Sequence, residues 1–233
     1  MANIAMHTLS LLHGLRFIDS FFPSGGYAYS SGLEAAVQEG AVGNAEEFRE
    51  YVEDLLRAGV ATREAVAMSV ACEAIRKRKL PLALKADAEL EAMKIGYESR
   101  LASRQMGRQV MRIAVDRDKP HAVLQAFQTE LMASRTPGHF PVCLGLTLAA
   151  SGWSRTDAIA VFLYQTAVGF VSAAMKLLPI GQREGQRLLA EWFPLFIELS
   201  RQVPTSLDMY AWTPIHDIYT MRHARLESRL FRS

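Results

Sequence analysis

Apolar residues recur at helical spacing along most of the chain, whereas the strict alternation typical of strands is almost absent. A helix is predicted to begin at Asn44, where Glu47 completes the pattern of a capping box. Further helices are predicted over 61–79, 82–93, 98–115, 122–133, up to Gly152, over 158–175 and around 188–199, the last one broken by Pro194. The sequence therefore predicts an all-α protein of about eight to ten helices with no sheet.

The chain is expected to form one core domain followed by a segment of different character. Its 233 residues, of which 50% are hydrophobic and 21% charged, can bury a sizeable core without a metal or disulfide. Between Pro204 and Pro214 the preceding helix cannot continue, and the residues after His216 are only weakly amphipathic. We predict a single compact multi-helix domain over residues 1–203 and a C-terminal partner-binding tail over residues 204–233. The tail is ordered either by the rest of the chain or by a partner, and we favour a partner.

Composition and charge exclude several classes of protein. The 26 Lys and Arg against 24 Asp and Glu leave a net charge of +2, too small to predict nucleic-acid binding by itself. The uncharged run 158–175 is barely long enough to span a bilayer and contains polar residues such as Gln165, so a buried central helix is expected instead. The isolated Cys72 and Cys143, and an N-terminus without a basic region, favour the cytoplasm.

The sequence templates of common enzyme classes are missing. It contains no GxxxxGK[ST] phosphate loop, no GxGxxG after a strand, no HExxH and no GxSxG. Among the scattered histidines, His216 and His223 lie two helical turns apart and are weak candidates for a metal site, with ordinary polar tail residues as the alternative. We therefore predict no catalytic residues and no directly bound cofactor.

Four arginines repeat at every fourth position of the helix predicted over 98–115. This arginine stripe consists of Arg100, Arg104, Arg108 and Arg112. Like charges at this spacing destabilise an isolated helix by a few tenths of a kcal/mol per pair, so opposite charges nearby are expected to offset them. The stripe is either a solvated face with carboxylate neighbours or a docking surface for an acidic protein or phosphate. In the second case the chain would be a helical nucleic-acid-binding or regulatory module.

Segment 22–34, called here the loop motif, interrupts the helical pattern near the N-terminus. A proline and consecutive glycines force a turn, and the serines at positions 30 and 31 can cap the helix that follows. Two tyrosines in a turn, Tyr27 and Tyr29, are either packed on the core or exposed at a protein interface.

The end of the tail combines basic and apolar residues. If this segment is helical, Arg222, Arg225, Arg229 and Arg232 share one face, and an apolar strip lies about a quarter-turn away. Such a helix suits the groove of another protein, with arginine pairs fixing its register, and a frayed basic terminus is the alternative.

These two segments resemble the UreF family of urease accessory proteins. The resemblance rests on Phe22-Pro23-Ser24-Gly25-Gly26-Tyr27-Ala28-Tyr29-Ser30-Ser31-Gly32-Leu33-Glu34 and on Met221-Arg222-His223 followed by Ser228-Arg229-Leu230-Phe231-Arg232-Ser233. The chain length and the stretch from His139 to Leu148 agree with it. The chain departs from the family pattern at Ala28, where a polar residue is frequent, and at Glu227, where an aromatic residue is common.

The resemblance implies an all-α, dimeric, non-catalytic protein. Members of this family join a UreD-type protein (called UreH in some organisms), recruit the nickel-binding GTPase UreG and dock on apo-urease, so the partners handle nickel and GTP. The tail residues implied in contact with the UreD-type partner are Asp217, Met221, Arg222, His223, Arg229, Leu230 and Phe231. The loop-motif residues implied on the same surface are Tyr27, Tyr29, Ser30 and Glu34. A homodimer is expected, and neither a nucleic acid nor a membrane is expected as a partner.

Overall fold

The computed structural model describes residues 2–19, 21–23, 25–116 and 120–232. Every regular element within these residues is helical, which confirms the predicted all-α class. The α-helices are α1 (Ala2–Leu15), α2 (Leu33–Gln38), α3 (Ala45–Leu55), α4 (Ala65–Lys77), α5 (Leu80–Met93), α6 (Tyr97–Ala114), α7 (Ala122–Met132), α8 (Phe140–Ala150), α9 (Arg155–Leu177), α10 (Gln182–Glu191), α11 (Phe193–Gln202) and α12 (Pro214–His223). A 3-10 turn, Gly26–Ala28, precedes α2, and a π-helical segment, Leu56–Glu64, joins α3 to α4.

Local sequence signals set several helix ends as predicted. The Asn44 side chain accepts hydrogen bonds from the backbone N–H groups of Glu46 and Glu47, both at 3.0 Å. Glu47 in turn accepts the N–H of Gly43 at 2.7 Å, so the start of α3 is capped from both sides. Pro194 lies in the first turn of α11, which confirms the predicted break between α10 and α11.

The helices predicted on either side of residue 60 are one continuous rod. α3, the π segment and α4 follow each other without interruption from residue 45 to residue 77. In the π segment, the carbonyl oxygens of Ala58 and Thr62 accept hydrogen bonds from Trp212 N (2.9 Å) and Tyr210 N (3.1 Å). The π segment thus supplies two carbonyl acceptors to which the extended part of the tail is hydrogen-bonded.

The core forms where α4 and α8 pack against each other, with α5, α6 and α9 around them. Gly145 of α8 permits this contact, because a Cβ there would lie 2.8 Å from the Met68 carbonyl oxygen. The uncharged run forms α9, which could cross a membrane by length and composition alone. Half of that stretch is buried, against α4, α8 and α11 among others, as expected for a core helix.

The tail is ordered against the rest of this chain, chiefly on α2 and α6. Its helix, α12, ends at His223, and residues 224–232 are not helical. The helical stripe expected for Arg222, Arg225, Arg229 and Arg232 is therefore wrong, because the last three of these arginines lie beyond the helix. The boundary proposed at residue 203 remains a prediction.

Candidate partner-binding site

The loop motif and the end of the tail meet at the carboxylate of Glu34. This side chain, only 1% exposed, lies in the first turn of α2. Its oxygens accept the backbone N–H groups of Leu230 at 2.7 Å and Phe231 at 3.2 Å, and face His223 Nε2 at 2.9 Å. The two segments that carry the sequence resemblance therefore form one site, although they lie at opposite ends of the chain. Ser24 and Ser233 of these segments lie outside the described residues.

His223 is fully buried and held between two carboxylates. Its Nε2 faces Glu34 and its Nδ1 lies 2.9 Å from Glu98 Oε2. A neutral imidazole has one N–H, so only the doubly protonated ring can donate to both carboxylates. The other oxygen of Glu98 accepts from Arg229 Nη1 at 3.0 Å. The result is a connected network of ionisable side chains in which each buried polar atom has a partner.

The N-terminal half of α6 forms a platform under both segments. Thr220 of α12 is wedged between Gly32 and Gly96, since a Cβ on either glycine would come within about 3.0 Å of it. Tyr29 Oη donates to Gln105 Oε1 at 2.7 Å. Gly96, Glu98 and Gln105 could not be predicted from the sequence, because no local pattern links them to either segment.

The predicted contact residues divide into an inner and an outer group. Four are buried within the chain: Ser30, Glu34, His223 and Phe231. Others reach solvent, led by Tyr27 at 76% and Leu230 at 71% exposure, with Met221 at 45%. The inner group holds the segments together, and the outer group is the part that another protein could contact without rearrangement.

The remaining predicted residues lie beside this network. Arg222 forms an ion pair with Glu39 of the chain segment after α2. Asp217 is partly buried, which raises the pKa of its carboxyl above the ordinary value, and it hydrogen-bonds to Thr213 at 3.4 Å. Arg229 is tied to Glu98, as described above. Whether any of these side chains contacts a partner remains a prediction.

The two histidines considered as metal ligands face different groups. His216 Nε2 donates to the carbonyl oxygen of Ser31 at 2.8 Å, and burial lowers the pKa of this ring to about 4. His223 is occupied by Glu34 and Glu98. Within the described residues, no group of three or more His, Cys, Asp and Glu side chains is suited to hold a metal ion. The two rings are thus held by separate groups of the chain.

A cavity of about 690 Å³ lies beneath the loop motif. Glu64 lies at the charged end of the cavity. Its carboxylate accepts two hydrogen bonds of 3.1 Å from Arg63 and one of 2.7 Å from Lys94 Nζ. Burial acts to raise the pKa of Glu64, but the two cations lower it well below the ordinary value. The cavity walls are largely apolar and include Phe22, Met106, Phe140, Phe162 and Phe170.

The first half of the arginine stripe on α6 shares one carboxylate partner. Arg104 pairs with Glu91 of α5, and Arg100 lies 3.9 Å from the same carboxylate. Glu91 also faces His139 Nε2 at 2.8 Å, and its pKa is lowered by Arg104 and His139 against the opposing effect of burial. Arg108 and Arg112 are exposed and have no ion pair among the described residues. The carboxylate neighbour expected for a solvated face is therefore present for the first two arginines.

Comparison with known proteins gives consistent matches over most of the chain. The UreF family model matches residues 42–193, a region that contains neither of the two segments above. The urease accessory protein UreF of Actinobacillus pleuropneumoniae serotype 5b (strain L20) is 33% identical over 224 residues, covering 94% of this chain and 97% of that protein. The UreF protein of Haemophilus influenzae (strain ATCC 51907 / DSM 11121 / KW20 / Rd) is 32% identical, and the match covers 94% of this chain and 94% of that protein. The UreF protein of Bacillus sp. (strain TB-90) is 30% identical, and the match covers 96% of this chain and 99% of that protein.

Proposed function

The chain belongs to the UreF family of urease accessory proteins, and from this premise we propose that it is a non-catalytic scaffold for urease maturation. In this proposal it joins a UreD-type protein and a UreG-type GTPase on apo-urease, in the cytoplasm. Nickel is the cargo of the complex, and GTP is bound and hydrolysed by the GTPase. The chain contributes surfaces and positions its partners.

The observation that supports this proposal is the joining of the loop motif and the tail at Glu34. Burial of a carboxylate costs desolvation free energy, which its two backbone N–H donors and the histidine must offset. These contacts require the loop motif and the tail to keep one relative arrangement. Around it, Tyr27, Met221 and Leu230 stand exposed, and large apolar side chains of this kind are typical anchors of protein interfaces. We infer that this outer surface receives the UreD-type protein.

A second copy of the chain is proposed to bind at the exposed side of α9. Tyr164 of α9 contacts Phe193 and Phe196 of α11, with ring centroids 6.3 and 6.2 Å apart. Phe193 and Ile197 are about half exposed, so this aromatic patch is only partly covered by the chain itself. Apolar surface of this type is buried in homodimer interfaces.

The scaffold proposal is tested by one surface substitution with a matched control. Leu230→Glu places a charge on an exposed side chain of the site and leaves the Glu34 contacts of its backbone intact. Met132→Glu makes the same change at an equally exposed methionine at the end of α7. We expect Leu230→Glu to lose capture of the purified UreD-type protein and activation of urease in nickel-fed cells, while Met132→Glu retains both. Equal capture by the two variants would contradict the proposal.

A further inference from the structure

Glu98 connects two parts of the tail that have different backbone conformations. It lies in the first turn of α6, where the positive end of the helix dipole favours a carboxylate. Its Oε2 contacts His223, the last residue of α12, at 2.9 Å, and its Oε1 contacts Arg229 in the non-helical segment at 3.0 Å. One carboxylate therefore fixes the angle at which the chain leaves α12.

Gly96, two residues earlier, fixes how deeply α12 lies. A Cβ at this position would be 2.9 Å from Thr220 Oγ1, so a larger residue would push the helix outward. Gly32 limits the same side chain from the opposite side, with 3.0 Å between its would-be Cβ and Thr220 Cγ2. The depth of α12 is thus limited by the contacts of Thr220 with the two glycines, and the direction of the following segment is set by Glu98.

Glu98 and Glu34 have different roles in holding the tail. Glu34 binds the backbone N–H groups of Leu230 and Phe231 and is almost fully buried, so it attaches these two residues through main-chain atoms. The Glu98 side chain is 20% exposed and, among the described residues, its carboxylate is paired with the side chains of His223 and Arg229. Removal of its charge would leave the attachment in place and loosen the orientation.

We propose that Glu98 is a positioning residue: through His223 and Arg229 it orients the exposed end of the tail for the protein that binds there. The residue does not itself belong to the outer group, and it acts through the direction in which Leu230 projects. This proposal rests on the proposed function, because that function supplies the partner. It adds a residue of α6 to a site that the sequence assigned to the two ends of the chain alone.

The test is a double-substitution cycle on the full-length chain. Glu98→Gln, Arg229→Gln and the double variant are measured for their dissociation constant from the purified UreD-type protein and for thermal melting. Each single variant is expected to bind about tenfold more weakly, as for the loss of one charged hydrogen bond, and the double variant no more weakly than Arg229→Gln. The melting temperature should stay at the wild-type value. Glu184→Gln and Arg187→Gln, which remove an exposed ion pair of 3.3 Å on α10, are the matched controls.

Each outcome bears on the proposal separately from the proposed function. Unchanged affinity of Glu98→Gln, or strictly additive effects in the double variant, would overturn the positioning role. A melting temperature lowered in proportion to the affinity would also overturn it, since the role would then be structural. If the wild-type chain does not bind the UreD-type protein, the proposed function fails. In that case, amide exchange in the free chain tests whether Glu98 orients the tail. Faster exchange of the Leu230 and Phe231 amides in Glu98→Gln than in the wild type supports the positioning role, and equal exchange refutes it.

Discussion

Replacement of His223 by alanine should release the tail while the core stays folded. His223 is the only basic side chain that contacts Glu34 among the described residues, and it is also one of the two groups bound to Glu98. In the alanine variant, the Glu34 carboxyl group would remain buried without its basic partner. The tail can relieve this cost by leaving the surface of α2, because water then reaches the carboxylate.

The size of the effect follows from the contacts that remain. An uncompensated buried charge costs about 3–5 kcal/mol when its partner is removed. Leu230 N and Phe231 N still donate to Glu34 after the substitution, so we expect a value near the lower limit, about 3 kcal/mol. This corresponds to about a hundredfold rise in the population of the state with an open tail.

The measurement is amide hydrogen exchange over residues 214–232, with limited proteolysis at the turn that follows Pro204. His223→Ala should accelerate both, while the urea midpoint of the core helices changes little. His13→Ala, at an exposed histidine of α1, is the control and should leave all three measurements unchanged. Wild-type protection of the tail in His223→Ala would refute the reasoning, because it would mean that the burial of Glu34 does not depend on His223.

Three further predictions concern other buried groups. Burial lowers the pKa of His216 to about 4, so between pH 6.5 and 4 the unfolded chain binds a proton that the folded chain does not. As the pH falls through this range, His216 therefore lowers the free energy of unfolding by up to about 3 kcal/mol. Urea melts of His216→Gln should show a flatter pH dependence in the same range. Gly107→Ala would place a Cβ 2.1 Å from the Gly138 carbonyl and should destabilise the fold by about 1–3 kcal/mol in urea melts, whereas Gly169→Ala, with nothing within 4 Å, should cost nothing or stabilise α9 by up to about 1 kcal/mol. Asp87→Ala removes the acceptor of three hydrogen bonds that hold the turn before α8 and should lower the unfolding free energy by about 3 kcal/mol, measured in the same melts.

Features encoded in neighbouring residues could be predicted from the sequence. The cap at Asn44 and the break at Pro194 depend on atoms within four residues, and both were found where the pattern placed them. The helical class followed from the periodicity of apolar residues, which reports burial on one face. The two segments of the candidate site were also recognised, because each is a contiguous run.

Features that join distant residues could not be predicted in this way. Glu98 and Gln105 lie on a helix whose most visible pattern is the arginine stripe. Nothing in their spacing indicates that Glu98 contacts the tail or that Gln105 contacts Tyr29 of the loop motif. The π segment was not predicted, because a short change of helical period leaves the spacing of apolar residues almost intact. The early end of α12 at His223 also had no local signal, since His223 and Arg229 are fixed by carboxylates far away in the chain.

The π segment has a consequence for which substitutions the tail can tolerate. Tyr210 and Trp212 are attached to it through their backbone N–H groups, while their side chains are 65% and 79% exposed. Proline at either position would abolish a donor, but other residue types keep the attachment. These two hydrogen bonds therefore do not require aromatic residues at positions 210 and 212, and substitutions of the exposed rings would leave them in place.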